Sequence, residues 1–499
     1  MLQRALTVVT YSYADGHMTH RISDVRRTRA AEWGALERFV ASPTRLGALW
    51  GTRRSGVSAL AGALARATGG LHLQPGRLDP ALCLAEVGAS LGARLGVGTI
   101  GFPSWTDALD GLLGTADCPV VVLDGFGHLT DASPDLAAAL ARALGSQRPP
   151  GAPRLLLCGS GAARRPGLFA PEQPLHGLAD LVVELEPLDF RAAARCWGVG
   201  DPALARRVHT VVGGVAGYRD LIPGPTRSPG RFDRWIVTTV LAPGSPLLEE
   251  DALALRSCGL EATVHRSVIA AVGRGDRTPS EVAHRIARPV TSLSGPVERL
   301  VAAGLLRRIP DPLRTRRSRY EPADPFLAFH DAVVRPNLAA LRAGRADEVW
   351  AQARRVWQST LLGPHLASLC REAVERHAHE FGVAGAALVG ATEVADRRRN
   401  VVHELDVVAT DADGRVVALG AVHPGNRPRP AADLVSLEHA RARIGERATE
   451  ARLLLFAAAG FTPELREAAR GRTDVELIGL ARLYGRAQRL SEPPEPITA

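Results

Sequence analysis

Three short apolar runs, separated by stretches with helical spacing, constrain this chain more than any other feature. They are RLGALWG at 45–51, CPVVVLD at 118–124 and APRLLLCGSG at 152–161. Each is apolar at consecutive positions and stops at a glycine or a polar residue, as a short strand buried on both faces does. The segment SPDLAAALARALGS at 133–146 spaces its leucines for a helix. Strands that alternate with helices predict a parallel α/β sheet.

The first run leads into LWGTRRSGVSALAGAL, residues 49–64, which has the shape of a phosphate-binding loop. Gly51 and Gly56 have the G-x-x-x-x-G spacing that lets backbone N–H groups curl around an anion at a helix N-terminus. Ser58 can offer its hydroxyl to Mg²⁺, and Asp124, at the end of the second run, can hold that ion through water. Where such loops carry lysine, this one has Val57. The whole chain of 499 residues lacks lysine, so all 61 basic residues are arginine. Arginine stays protonated, which excludes Schiff-base chemistry, a lysine general base and a lysine phosphate contact. The net charge of +9 permits an anionic partner without naming one.

A connector rich in proline and glycine, IPGPTRSPGRFD at 222–233, marks a boundary. Beyond it, residues 264–309 read as three short helices, followed by the arginine-rich turn PDPLRTRRSRYEP at 310–322. Three helices and a basic hairpin are the ingredients of a winged helix-turn-helix. Arg307, Arg308, Arg314, Arg316, Arg317 and Arg319 form a cationic cluster that suits DNA phosphates, although no aromatic residues interleave it. A solvated hairpin, or one docked within its own chain, fits the same residues. Gly295 and Pro296 in the candidate recognition helix are expected to kink or delay it. Trp350 and Trp357 read as packing anchors of a connecting helix.

The last section returns to α/β, with strands expected at HELDVVATD, RVVALGAVH and ARLLLFAAAG and a hairpin turn at DADG, 411–414. Glu404 and Asp406 are two apart on one strand, so they share a face and could hold Mg²⁺ for phosphodiester cleavage. His377 and His379 diverge on a helix, which speaks against a zinc pair. Six scattered cysteines form no C-x-x-C pair, and neither a signal peptide nor an apolar run of roughly 18 residues is read. A cytoplasmic protein with no membrane partner is expected.

In this order the pieces resemble the archaeal-type ATPase family of AAA+/STAND-like P-loop NTPases, over roughly residues 26–485. GTRRSGVS is similar to its arginine-rich Walker A loop, VVVLDGFGHL to its Walker B strand and LLLCGSG to its sensor strand, with Ser160 in the polar position. VGGVAGYRDLI resembles its Gly-Gly-x-Pro lid motif, with Ala216 where proline is usual. The stretch at 243–287 resembles the helical stretch leading into its winged helix, and that at 319–337 the segment that follows it. LLGPHLASLCREA and HELDVVATDADGRVVALGAVHPGNRP resemble its C-terminal restriction-endonuclease-like domain.

The resemblance implies an α/β P-loop NTPase with helical lid, a winged helix-turn-helix and a C-terminal α/β nuclease-like domain. The expected divisions are a leader at 1–25, core and lid at 26–222, helical linker and winged helix at 223–335, a connecting helix at 336–360 and a degenerate nuclease-like domain at 361–499. It places ATP or ADP, with Mg²⁺ on Ser58 and Asp124, against Gly51, Arg53, Arg54, Ser55, Gly56, Val57, Ser58, Ala59, Asp124 and Ser160. Gly125 stands where the Walker B glutamate is usual. In the nuclease-like domain Ala367, Ala421 and His423 replace an acid, an acid and a lysine, leaving Glu404 and Asp406 as a remnant.

The expected function is weak nucleotide binding without efficient hydrolysis, in a regulatory or interaction protein with an unidentified protein partner. The alternatives are an ATPase completed by a partner or neighbouring subunit, and a DNA-binding regulator using Arg314, Arg316, Arg317 and Arg319.

Overall fold

The computed structural model describes residues 22–76, 78–146, 151–160, 167–225, 231–314, 317–396 and 401–486. Most of the leader and Arg316 lie outside them.

The three apolar runs form β1 (Leu46–Gly51), β3 (Val120–Leu123) and β4 (Arg154–Ser160). Two further strands complete the first sheet, β2 (Leu71–Leu73) and β5 (Leu181–Leu185), in the order β2-β3-β4-β1-β5 with every pairing parallel. The ends of β1, β4 and β3 therefore lie along one carboxyl edge. Gly51 pairs with Ser160, and Leu123 with Leu157. Helices cover both faces. Val25 of the helix Ile22–Thr28 packs in the same core cluster as Val57 and Leu60, so the division after residue 25 falls inside a helix.

The middle of the chain holds the helices Thr263–Gly273, Pro279–Arg285 and Ser294–Ala302, then an antiparallel hairpin of β6 (Leu306–Pro310) and β7 (Ser318–Pro322). Val268, Val282, Leu300 and Tyr320 pack together in its core. Pro296 neither kinks nor delays the third helix. It sits in the first turn, where its missing N–H would have had no intrahelical partner. Trp350 ends up buried on Ala346–Val356, and Trp357 lies just beyond it, also buried, with the rings 5.4 Å apart.

The C-terminal sheet comprises β8 (Leu388–Asp396), β9 (Val401–Thr410), β10 (Val416–His423), β11 (Arg452–Ala457) and β12 (Val475–Gly479), in the order β12-β11-β10-β9-β8. β8 to β10 are antiparallel, and β10 to β12 run parallel. Asp411 closes the β9–β10 turn by accepting the N–H groups of Asp413 and Arg415.

The units are docked on one another. The hairpin lies against β8 so closely that a β-carbon on Gly390 would stand 2.0 Å from the Pro310 carbonyl oxygen. The helix Pro202–Val212 meets the helix Gly363–His377 through His209 and His365, whose Nδ1 and Nε2 share one proton in a 2.8 Å hydrogen bond. Burial pushes the His209 imidazole down to about 4 and the His365 imidazole well below its usual range.

Between an ordinary histidine value near 6.5 and about 4, the unfolded chain binds protons that the folded chain refuses, so stability falls as pH falls. At about 1.4 kcal/mol per unit, His209 alone accounts for about 3 kcal/mol across that window. Thermal melting from pH 7.5 to 5 is expected to show this decline, with a shallower slope in His209→Gln. An unchanged slope in the variant would remove the pair from the account.

Candidate functional site

The loop after β1 is held in shape by three positions. A β-carbon on Gly51 would lie 2.3 Å from the Ser55 Oγ and 3.0 Å from the Leu185 carbonyl oxygen, so only glycine fits. Arg54 (φ 60°) and Gly56 (φ 98°) are left-handed, and the Ser55 N–H closes the turn on the Thr52 carbonyl at 3.1 Å. Gly56 caps the helix Val57–Thr68 without a side-chain hydrogen bond, which leaves its first-turn N–H groups for an anion or water. Ser58 is exposed and Ala59 half-buried. Val57 is only 6% exposed and belongs to the apolar cluster of Val25, Leu36 and Leu60. The position that carries lysine in such loops is here part of the core.

The two loop arginines are neutralised internally. Glu250, 2% exposed, accepts from Arg53 Nε at 2.9 Å, from Arg54 Nε at 2.7 Å and from a second Arg54 nitrogen at 3.1 Å. It opens the helix Glu250–Ser257, nearly two hundred residues away in sequence, so no local signal announces it. The short helical turn Ala216–Asp220 grips the same loop. The Gly217 N–H donates to the Arg54 carbonyl at 2.9 Å, and a β-carbon on Gly217 would meet Arg54 at 2.8 Å. A β-carbon on Gly304, just after the third helix of the middle unit, would lie 2.8 Å from the Thr52 methyl. The loop thus touches the turn Ala216–Asp220, the helix Glu250–Ser257 and the turn that leads into the hairpin.

Asp124 is buried at the carboxyl edge. Its Oδ1 accepts the Gly125 N–H at 2.9 Å, and its Oδ2 lies 3.3 Å from His72 Nε2. His72, on β2, passes close over the helix Val57–Thr68, where a β-carbon on Gly62 would stand 3.1 Å from its Nδ1. A mid-helix glycine costs about 1 kcal/mol relative to alanine, and here it makes room for the ring that reaches Asp124. Gly125 itself is left-handed (φ 75°), a conformation in which a glutamate would be strained. Ser160 is exposed at the end of β4, beside Gly51.

The C-terminal carboxylates are differently placed. Glu404 is exposed and pairs in register with Glu393 of β8. Asp406 accepts the Val422 N–H at 2.8 Å, and burial raises its carboxyl above the usual range. Arg371, one turn after Ala367 on the helix Gly363–His377, donates to the Asp406 carbonyl at 2.9 Å. It also forms a buried ion pair with Glu321 of the hairpin at 2.8 Å. A guanidinium therefore stands beside Asp406. The Ala421 carbonyl accepts from Arg429, and His423 Nδ1 lies 3.8 Å from Asp433. His377 pairs with Glu380 at 3.7 Å. No cluster of three or more His, Cys, Asp or Glu able to hold a metal ion occurs among the described residues.

Of the hairpin arginines, Arg314 donates to the Glu393 carbonyl at 3.0 Å and Arg319 to the Glu393 carboxylate, while Arg317 is exposed. Arg307 pairs with Glu321 and Arg308 with Glu298. Arg307 and Arg308 are thus held within the middle unit, and Arg314 and Arg319 dock it on β8. Among the described residues no helix is long and apolar enough to cross a membrane.

No family model matches this sequence, and no curated protein matches it. Among solved structures, the chain is similar to the Walker-type ATPase PABY2304 of Pyrococcus abyssi, at 17% identity over 61% of this chain and 95% of that one, with a TM-score of 0.47. It is also similar to the Aeropyrum pernix ORC2 protein in ADPNP–ADP complexes, at 14% identity over 66% and 94% of the two chains, with a TM-score of 0.40. Cdc6p from Pyrobaculum aerophilum is matched at 14% identity over 68% and 97%, with a TM-score of 0.25.

Proposed function

We propose that the first unit is an AAA+/STAND-like P-loop nucleotide fold that binds ATP or ADP weakly, with Mg²⁺, and does not hydrolyse it efficiently. In this reading the middle unit is a winged helix, the last is a degenerate restriction-endonuclease-like domain, and the protein acts as a regulatory or interaction protein. One observation carries the nucleotide reading. An uncapped helix N-terminus opens behind a left-handed glycine at the carboxyl edge of a parallel sheet, with exposed Ser58 on that helix and buried Asp124 along the same edge.

The residues divide the work unequally. The backbone N–H groups at 56–58 bind and orient phosphate oxygens. Ser58 through its hydroxyl, and Asp124 through water, would hold Mg²⁺, which when bound neutralises charge on those oxygens. Val57 supplies no cation, since its side chain belongs to the core. Arg53 and Arg54 supply none while Glu250 holds them. A charge-assisted hydrogen bond contributes about 1.5–3 kcal/mol, so its loss lowers affinity by roughly one to two powers of ten. Gly125 offers no carboxylate to orient water, and a missing transition-state contact typically costs about 10²–10³ in rate. The regulatory reading is supported by the contacts of Thr52, Arg53 and Arg54 with three other elements, through which an occupied loop would be felt elsewhere.

Titration with ADP in Mg²⁺ and in EDTA tests the site. Ser58→Ala is expected to weaken binding about tenfold in Mg²⁺ and to leave binding in EDTA unchanged. Equal affinities of wild type and variant in both buffers would contradict the proposal.

A further inference from the structure

The contact between Glu250 and the phosphate loop is lopsided in charge. One carboxylate serves two guanidinium groups, its Oε1 accepting from both Arg53 and Arg54 and its Oε2 from Arg54 alone. The trio keeps one positive charge in excess, in the loop that leads to the uncapped N-terminus of the helix Val57–Thr68. Both arginines are partly open to solvent, whereas Glu250 is nearly inaccessible. A polyphosphate in the loop offers the guanidinium groups several charged oxygens where the carboxylate offers two. Its negative charge also repels Glu250 across the same two arginines.

Glu250 cannot give up the arginines and stay where it is. An ionised carboxylate left buried without partners is strongly unfavourable. Glu250 is the first residue of the helix Glu250–Ser257, and Ala254 and Leu255 of that helix pack in the core of the middle unit with Val268, Val282, Leu300 and Tyr320. The carboxylate therefore reaches water only if the start of its helix moves. The loop backbone is strained at the same point. Arg54 is left-handed (φ 60°), a conformation unfavourable for any residue but glycine, and its carbonyl is held by the Gly217 N–H.

We propose that Glu250 is a latch, displaced from Arg53 and Arg54 by the phosphate tail of a nucleoside triphosphate, and that its release frees the start of the helix Glu250–Ser257 and so passes occupancy of the loop to the middle unit. This rests on the reading of the loop as a nucleotide site. Binding and latching are reciprocal. Whatever factor the latch costs in triphosphate affinity, the bound triphosphate returns as loosening of the helix.

The test is amide hydrogen exchange of the full chain with and without saturating Mg-ATP, with calorimetry on the same samples to register binding. In wild type, ATP is expected to speed exchange of the amides at 253–257 about tenfold and to slow exchange in the helix Val57–Thr68. In Glu250→Gln the amides at 253–257 should exchange fast before ATP is added and change little afterwards. The affinity gained by Glu250→Gln is expected to vanish in the triple variant that also carries Arg53→Gln and Arg54→Gln. A merely structural role of Glu250 would leave that gain intact. Heat of binding without faster exchange at 253–257, or a gain that is absent or that survives in the triple variant, overturns the latch and leaves the nucleotide reading standing. No heat of binding in wild type overturns both.

Discussion

Replacing Glu321 by alanine is expected to destabilise the protein by about 3–5 kcal/mol, the range for removing one partner of a buried charge cluster. Glu321, on β7, accepts from Arg371 at 2.8 Å, from Arg307 at 2.8 Å and from the Ser368 hydroxyl. Burial alone would raise this carboxyl, but Arg371, Arg307 and Ser368 together hold it far below its usual range. In Glu321→Ala, Arg371 would remain buried without its carboxylate between the hairpin and the C-terminal helix. A carboxyl lowered in the folded state stabilises fully above its unfolded value near 4.5, and that stability is lost as pH falls below it. Urea melts at pH 7 should therefore show the deficit, and the acid limb below pH 4.5 should be flatter in Glu321→Gln than in wild type. A loss under about 1 kcal/mol at pH 7 would mean that the cluster contributes little to docking.

The second large effect concerns Glu250. Glu250→Gln is expected to raise Mg-ATP affinity about tenfold or more, while phosphate release stays at the protein-free rate. The carboxylate is nearly inaccessible, and the arginines it holds stand 30% and 23% exposed at the mouth of the loop. Neutralising it releases Arg53 and Arg54 to the phosphates. It also weakens a buried ion pair, so the variant should melt at lower temperature without ligand and gain more from ATP than wild type does. Affinity that is unchanged, or lower, would show that the arginines do not reach the nucleotide even when freed.

How much of this was legible in the sequence depends on the range of the interaction. Strands 46–51, 120–123 and 154–160 were visible because their apolar runs are continuous. The edge strands Leu71–Leu73 and Leu181–Leu185 were not, since one has three residues and the other alternates buried and exposed positions. The G-x-x-x-x-G spacing announced the turn, but nothing local could show that Val57 faces the core or that Arg53 and Arg54 are held by Glu250. His72 was invisible too, although Gly62 in an otherwise good helix hinted that something passes close by. Pro296 does not kink its helix because the effect of a proline depends on which turn it occupies, and here it is the first. The hold of Arg314 and Arg319 on Glu393 of β8 is a product of tertiary docking, and docking leaves little periodic trace in sequence.

Calorimetric titration of the full chain with Mg-ATP, with released phosphate followed on the same sample, decides whether the loop is an anion cradle without hydrolytic power. Weak, saturable binding that Ser58→Ala diminishes, with no phosphate release above the protein-free rate, is the predicted result. Sustained release on the order of one turnover per second, or no binding at all, would contradict it.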